Sequence, residues 1–425
     1  MKARNRELLL LAAASPLPFL GWIMLDLARQ GRVDGGGALY PTAVLAGFLL
    51  VHLGLRFFRP QADPVMLPLA FTLCSLGITF LLRLNPHMAR LQLAWMGTGT
   101  VVLLVTVAFL RDYKALERYR YTLAVLGLLL LLSTMALGKE VNGARLWLVL
   151  GPLRFQPSEL AKIFLAVFFA AYLAEKKELL AAAGRRVAGV NLPRLRDLGP
   201  LLTMWALSLL LLIFQRDLGS SLLFFGIFLA VVYVATGRAA FVLLGVLLFV
   251  LGATATFFLF SHVESRVETW LNPLNPETVN RESYQIAQSL FAFAEGGLSG
   301  TGLAKGNPNI IPYVETDFVY AAVGEELGLI GAAVLALLYF LLACRGLQLA
   351  VRCEDDFGKL LAVGLTAVVA LQSFIIMGGV TRLLPLTGIT LPFVSYGGSS
   401  LVSNFLLLGI LLCVSGGGGR VAERH

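Results

Sequence analysis

The feature that most constrains this chain is a series of apolar runs, each about 20 residues long, that recurs along nearly its whole length. A hydrocarbon core of about 30 Å is crossed by roughly 20 helical residues, so each run is long enough to span a bilayer. About twelve such runs start near residues 8, 37, 65, 91, 120, 157, 198, 218, 239, 318, 359 and 392. The residues are 58% hydrophobic and 14% charged, with a mean hydropathy of +0.81. Soluble domains hold roughly 45–50% and 25%, so a soluble globular protein is excluded. The expected fold is an all-α polytopic membrane protein of 425 residues in one membrane unit.

Charge sets the expected orientation. The net charge is +9, but the Lys and Arg residues sit in short clusters between apolar runs, where orientation in a bilayer accounts for them and nucleic acid is not called for. Lys2, Arg4 and Arg6 precede the first run, and no small-residue cleavage site follows, so the first span reads as retained. An even span count places both termini on one side. Alternating the loops puts the larger share of Lys and Arg on that side, including Arg111 to Arg120 and Lys176 to Arg196, so both ends are expected in the cytoplasm. Cys74, Cys344, Cys353 and Cys413 lie in or beside apolar segments without CxxC spacing and read as packing residues.

Two connections are long: a cytoplasmic one over 175–197 and an outer one over 261–317. The second carries seven acids and four prolines, and long loops of this kind usually carry function. Its middle, Tyr284 to Ala294, places Ile286, Ala287, Leu290, Phe291 and Ala294 at helical spacing before Gly296 and Gly297, which predicts an amphipathic helix. The Gly416 to Gly419 run reads as a frayed tail.

Charges inside spans are costly in lipid and point to function unless they are paired. Ser158, Glu159 and Lys162 open the sixth run, where a helix cap and a local ion pair would explain them as well as a site would. Gln215, Arg216 and Asp217 precede the eighth, and Asp217 is placed to cap it. Glu325 and Glu326 lie about two turns into the tenth, where at least one must face a cavity or a partner. Gly378 to Arg382, Pro385 to Gly388 and Pro392 to Ser400 crowd glycines, prolines and hydroxyls into an apolar region. Such backbone persists at membrane depth where protein or water covers it, which predicts a cavity lining or close helix packing.

Together these stretches resemble the SEDS family of bacterial membrane proteins, which includes RodA, FtsW and SpoVE. The matching segments run in order: Asn142-Gly143-Ala144-Arg145, Phe155 through Lys162, Asp217-Leu218-Gly219, Tyr284-Gln285 with Gln288-Ser289, Thr316-Asp317-Phe318, Gly324 through Gly328, and Pro385 through Ser400. The resemblance covers about Pro64 to Ser415. It implies a ten-span core at 61–425, containing the large loop 261–317, with the two spans of 1–60 as an N-terminal extension.

The resemblance further implies a peptidoglycan glycosyltransferase of the bacterial cytoplasmic membrane, which polymerises undecaprenyl-diphosphate-linked lipid II at the outer face during elongation or division. A class B penicillin-binding protein, a transpeptidase, is its implied partner. No cofactor is specified, and a divalent cation such as Mg2+ is left open. Glycan transfer needs a carboxylate to accept the acceptor hydroxyl's proton and cations to hold the diphosphate. Arg145, Lys162, Arg216 and Arg382 are the cationic candidates. Glu159, Asp217, Gln285, Asp317, Glu325, Glu326, Ser395 and Ser399 complete the expected substrate-binding set on the matching motifs.

In one place the chain departs from the family pattern. The family shows an aspartate before a proline, ahead of the Tyr-Gln, and this aspartate looks like its catalytic carboxylate. Here the stretch is Asn272-Pro273-Leu274-Asn275-Pro276-Glu277, with Glu282 just before Ser283-Tyr284. An amide cannot act as a general base, so either Glu277 or Glu282 supplies it, or the chain is silent. Beside the polymerase stand two other readings: a flippase for the same precursor, which would use Lys162, Glu325 and Glu326, and a non-catalytic scaffold for the transpeptidase.

Overall fold

The computed structural model describes residues 2–33, 35–141, 144–151, 153–182, 184–187, 190–193 and 195–417. Asn142, Gly143, Gly418 and Gly419, named above, lie outside them. The helices are α1 (Lys2–Ala14), α2 (Pro16–Gln30), α3 (Leu39–Phe58), α4 (Met66–Leu84), α5 (Pro86–Phe109), α6 (Ala115–Arg118), α7 (Arg120–Leu137) and α8 (Ser158–Ala182). They continue with α9 (Leu195–Phe214), α10 (Leu218–Thr236), α11 (Ala239–Leu259), α12 (Ser261–Leu271), α13 (Tyr284–Gly296), α14 (Val319–Arg352), α15 (Asp356–Val380) and α16 (Gly398–Gly417). Ten spans among the described residues are long and apolar enough to cross a membrane, the first being α1 and α2 together. The expected count of twelve also included α8 and α9. Of these, α8 carries Glu159, Lys162, Glu175, Lys176 and Lys177, and among the described residues α9 contributes an apolar helix over Leu202–Phe214.

Local chemistry sets many of the boundaries. Pro16 opens α2, and Gly31 closes it at φ 66°. The Asn85 side chain accepts from the His87 and Met88 N–H groups, each at 3.2 Å, to start α5. Asp355 does the same for α15 through Gly358 N at 2.8 Å. The core is built on α16 against α5 and on α15 against α14, α8 and α10. Gly99 faces the Phe405 ring and Gly346 faces Thr366, which lets these helices approach closely.

Helix α14 is broken at Gly328, at φ 67° and ψ −168°. The break frees backbone groups on both sides, and the loop after α13 takes them up. Thr301 and Gly302 donate to the Glu325 and Glu326 carbonyls at 3.0 Å each, while Leu329 and Ile330 donate to those of Gly297 and Leu298 at 2.9 and 3.2 Å. A Cβ at Gly328 would lie 2.3 Å from Gly300 N, so no side chain fits there. This is irregular backbone in a candidate span, with its polar groups satisfied by protein.

Two differences from the sequence reading have simple causes. Against the all-α expectation, residues 139–155 contain β1 (Lys139–Val141), β2 (Ala144–Leu150) and β3 (Leu153–Phe155) as an antiparallel ribbon; β4 (Gly184–Val187) and β5 (Val190–Pro193) form a second. Gly151, at φ 63°, makes the turn from β2 to β3. The amphipathic helix forms as α13, but its buried face is rotated. Ile286, Ala287, Ser289, Ala292 and Gly296 are buried, whereas Phe291 and Ala294 are exposed. Close approach decided this: Gly296 abuts the Gly324 carbonyl of α14, which only small residues permit.

Candidate active site

At the end of the bundle that carries residues 260–317, α12 docks on the turn after α15. Arg266 Nη1 donates to the carbonyls of Leu386 and Thr387 at 3.2 and 3.4 Å. Arg382, at φ 62°, donates from Nε and Nη2 to the Trp270 and Leu271 carbonyls at 2.9 and 2.7 Å, and Trp270 Nε1 returns a bond to the Arg382 carbonyl at 3.1 Å. Trp270, Leu271, Leu290, Thr381 and Arg382 surround a hollow of about 430 Å3.

Beneath the docked turn lies a cluster that links three distant segments: Asp217, Arg266 and Asp317. Asp217 is buried and caps α10, its Oδ1 accepting from Ser220 N at 2.9 Å while Oδ2 has no hydrogen-bond partner among the described residues. Burial pushes its carboxyl above the ordinary range, against the Ser220 bonds and the charge of Arg266. Asp317 is pushed up to about 6, again mainly by burial, with Thr316 and Arg266 opposing. Burial lowers the Arg266 guanidinium, while Asp217 and Asp317 hold it up. The turn itself presses in: Gly388, at φ 70°, would place a Cβ 3.5 Å from Asp317 Oδ2, and one at Gly219 would meet Thr387 and Ile389 within 3.0 Å.

Because the Asp317 pKa is raised in the folded state, the folded protein holds a proton that the unfolded chain has lost, and this stabilisation fades as pH rises from about 4 to about 6. Asp317→Asn cannot lose that proton. Its unfolding temperature is therefore expected to gain on wild type as pH rises through this window; a difference that does not change with pH would contradict the assignment.

Lys162 is engaged elsewhere, with two side-chain partners. Its Nζ lies 2.5 Å from Glu159 Oε2 and 2.8 Å from Gln372 Oε1, and Gln372 Nε2 donates to the Thr390 carbonyl at 2.8 Å. Ser399 Oγ accepts from Gln156 N at 2.9 Å, and Ser395 Oγ accepts from Leu391 N at 3.0 Å, so both hydroxyls hold the loop in place. Glu326 Oε1 meets Arg83 Nε at 2.8 Å and its Oε2 accepts from Ala304 N at 3.0 Å, while Glu325 Oε1 accepts from Asn307 N at 2.5 Å. The two acids and the Glu159–Lys162 pair thus have different partners.

The Glu159–Lys162 pair is buried, so removing one charge strands the other. Lys162→Leu is expected to cost about 3–5 kcal/mol, and Lys162→Leu with Glu159→Leu less. Equal unfolding temperatures for the single and double variants would refute the coupling.

The loop ahead of α13 forms a closed turn. Asn275 Oδ1 accepts from Glu277 N at 3.1 Å, its carbonyl takes Thr278 N and Val279 N at 3.1 and 2.8 Å, and Ser283 N returns to the Thr278 carbonyl at 3.0 Å. Asn275 is thus a turn former, a role in which amide and carboxylate oxygens are equivalent acceptors. Glu277 and Glu282 both stand exposed on this turn. Arg145 on β2 and Arg216, at φ 62°, are exposed, and Gln285 is half-buried in the first turn of α13. Arg266, Gln372 and Arg83 escaped the sequence reading, because an isolated polar residue in a loop or apolar run carries no local signal of its distant partner. Among the described residues, no group of three or more His, Cys, Asp or Glu is arranged to hold a metal ion. Between Asp217 and Asp317 the positive charge is supplied by Arg266.

The same chain organisation is found in known proteins. It is 43% identical over 431 residues to the peptidoglycan glycosyltransferase RodA of Mycobacterium tuberculosis, across 98% of this chain and 91% of that one. It superposes with a TM-score of 0.69 and 29% identity on a chain of a solved peptidoglycan synthase complex that coordinates polymerization and crosslinking, covering 86% of this chain and 99% of that one. The rod shape determining protein RodA of Thermus thermophilus aligns with a TM-score of 0.59 and 28% identity, over 83% and 96%. The profile of the cell cycle proteins FtsW, RodA and SpoVE matches residues 62–417. With that match spanning most of its length, the chain belongs to the FtsW/RodA/SpoVE family.

Proposed function

We propose that this protein is a peptidoglycan glycosyltransferase that polymerises lipid II into glycan strands, with the face carrying 261–317 turned away from the cytoplasm. The observation that carries the reading is the turn of residues 272–283, which holds the exposed carboxylates of Glu277 and Glu282 on a loop tied through α12 to the Arg382 turn. In this reading Glu277 takes the proton from the acceptor hydroxyl, with Glu282 the alternative. Arg145 and Arg216, exposed, supply positive charge to the diphosphate together with Arg382, whose Nε and Nη2 hold α12 while the rest of its exposed guanidinium faces outward. Gln285 contributes from the start of α13. The buried residues of the expected set, Asp217, Glu159, Lys162, Ser395, Ser399, Glu325 and Glu326, together with Asp317, shape and stiffen the site through their pairs. The fixed pairing of Lys162, Glu325 and Glu326 also argues against their moving as a transporter's charges would.

In this reading α8 and α9 complete twelve spans, residues 1–60 are the two-span extension and 61–425 the core, and both termini lie in the cytoplasm of a bacterial inner membrane. The start of the family match at residue 62 supports that division. A periplasm-active reporter fused after Arg424 is expected to be silent, and one inserted after Asn280 active; the reverse pattern refutes the orientation. A class B penicillin-binding protein is the expected partner. Purified protein with labelled lipid II, with and without such a partner, is expected to yield glycan chains, read by length on gels. No polymer in either case, with lipid II still bound, would leave the scaffold reading.

A further inference from the structure

A second cavity, larger than the hollow at Trp270, lies at the opposite end of the bundle from the loop turn. It measures about 1070 Å3 and is lined by the start of α1, the α3–α4 and α5–α6 connections, the α14–α15 connection and the end of α16. Seven Lys and Arg residues face it, against four carboxylates.

Two of the four carboxylates, Asp63 and Asp355, are held by side-chain partners, while Asp112 and Glu354 stand exposed. Asp63 pairs with Arg345, and Asp355 accepts from the Tyr113 hydroxyl while capping α15. Asp112 Oδ1 accepts from the Lys114 backbone N–H at 2.9 Å. Arg59 is committed to the carbonyls that end α5, with Nε 3.2 Å from that of Val107. Lys2, Arg6, Arg111, Lys114 and Arg352 remain, all exposed at the cavity and none in a salt bridge among the described residues.

Helix α1 is locked in register, so that two of these cations are held at the cavity. Buried Arg4 pairs with Glu7 at 2.6 Å, and Glu7 Oε1 meets His52 Nδ1 at 2.6 Å. Arg4 also donates to the Ala62 carbonyl at the edge of the core. Lys2 and Arg6 lie one turn apart beside this anchor, facing cations from two core loops. Five cations in one concavity against the exposed Asp112 and Glu354 leave a net positive potential that favours an anion.

We infer that this cavity binds a phosphate-bearing anion, which bridges the N-terminal helix to the core. Arg6, Arg111 and Arg352 offer forked donors that match phosphate oxygens, and Lys2 and Lys114 add point charge. The volume exceeds that of one phosphate and fits a diphosphate or a phospholipid headgroup. Only the assignment of the cavity to the cytoplasmic side rests on the orientation proposed above. Binding itself is independent of it, and of polymerase activity.

The test uses the full chain in phosphatidylcholine nanodiscs. Inorganic pyrophosphate is titrated by calorimetry, and retention of phosphatidylglycerol relative to phosphatidylcholine is read by native mass spectrometry. The wild type is compared with Arg111→Gln/Lys114→Gln/Arg352→Gln, with Lys2→Gln/Arg6→Gln, and with Arg90→Gln/Arg281→Gln as a control for exposed charge elsewhere. Both cavity variants are expected to weaken anion binding by about tenfold or more, to keep wild-type unfolding temperatures in neutral lipid, and to differ from the control. Pyrophosphate binding lost in the cavity variants identifies a soluble phosphorylated ligand. A lipid preference lost without pyrophosphate binding identifies a headgroup. Equal binding by cavity and control variants, or a wild type that prefers neither anion, overturns the site. Because no glycan product is measured, a failed polymerase assay leaves this result standing.

Discussion

Glu277→Gln is expected to cut glycan polymerisation by roughly two orders of magnitude, the usual contribution of a general base, while membrane levels and lipid II binding stay at wild type. The substitution is nearly isosteric and falls on an exposed side chain whose backbone N–H, not its carboxylate, holds the turn through Asn275 Oδ1 at 3.1 Å. A loss in kcat without a rise in KM would mark a group that acts in the transition state. Glu282→Gln provides the contrast, because it alters the same exposed turn two residues before Tyr284. If Glu277→Gln polymerises normally and Glu282→Gln does not, the base is Glu282; if neither matters, the base lies outside this loop. Asn275→Asp keeps the turn, since a carboxylate oxygen accepts the same bond from Glu277 N, and it tests whether position 275 can itself reach the acceptor.

A loss of stability as large as that at Lys162 is expected at Glu326. Its carboxylate is fully buried, receives Arg83 Nε at 2.8 Å and Ala304 N at 3.0 Å, and belongs to the helix break at Gly328. Glu326→Ala strands the Arg83 guanidinium, whose remaining bond is to the Gly306 carbonyl at 2.8 Å, and leaves Ala304 N without its acceptor. A buried pair broken on one side costs about 3–5 kcal/mol, enough to lower both yield and unfolding temperature. Glu326→Gln keeps an acceptor for Ala304 and is expected to lose less. Combining Glu326→Ala with Arg83→Met removes the stranded charge and should recover part of the loss. If the double variant is no more stable than Glu326→Ala, the damage comes from the loop contacts and not from the ion pair.

Many elements of this architecture were legible from single segments. Candidate spans fall on the predicted apolar runs because hydrocarbon thickness demands a length that can be counted along the chain. The caps at Asp217 and the pairing of Glu159 with Lys162 were readable for the same reason, since their partners lie three residues away. The family motifs located the loop carboxylates, and the structure found Asn275 serving the turn at the point where the pattern departs.

What the sequence determined by itself was therefore whatever depends on neighbours within a few turns: the membrane class, the placement of the runs, most helix starts, and the residues whose charge demands an explanation. Tertiary structure alone decided how those charges are answered. Arg83 reaches Glu326 across 243 positions and Lys162 reaches Gln372 across 210. Arg266 sits between Asp217 and Asp317 because α12 folds back onto the Arg382 turn. The rotation of α13 toward Ala292 and Gly296 was likewise chosen by the backbone of α14, not by the helix's own pattern. Burial makes each such partnership compulsory, since an unpaired charge in a dry interior is costly, but which partner arrives depends on the packing of helices far apart in the chain.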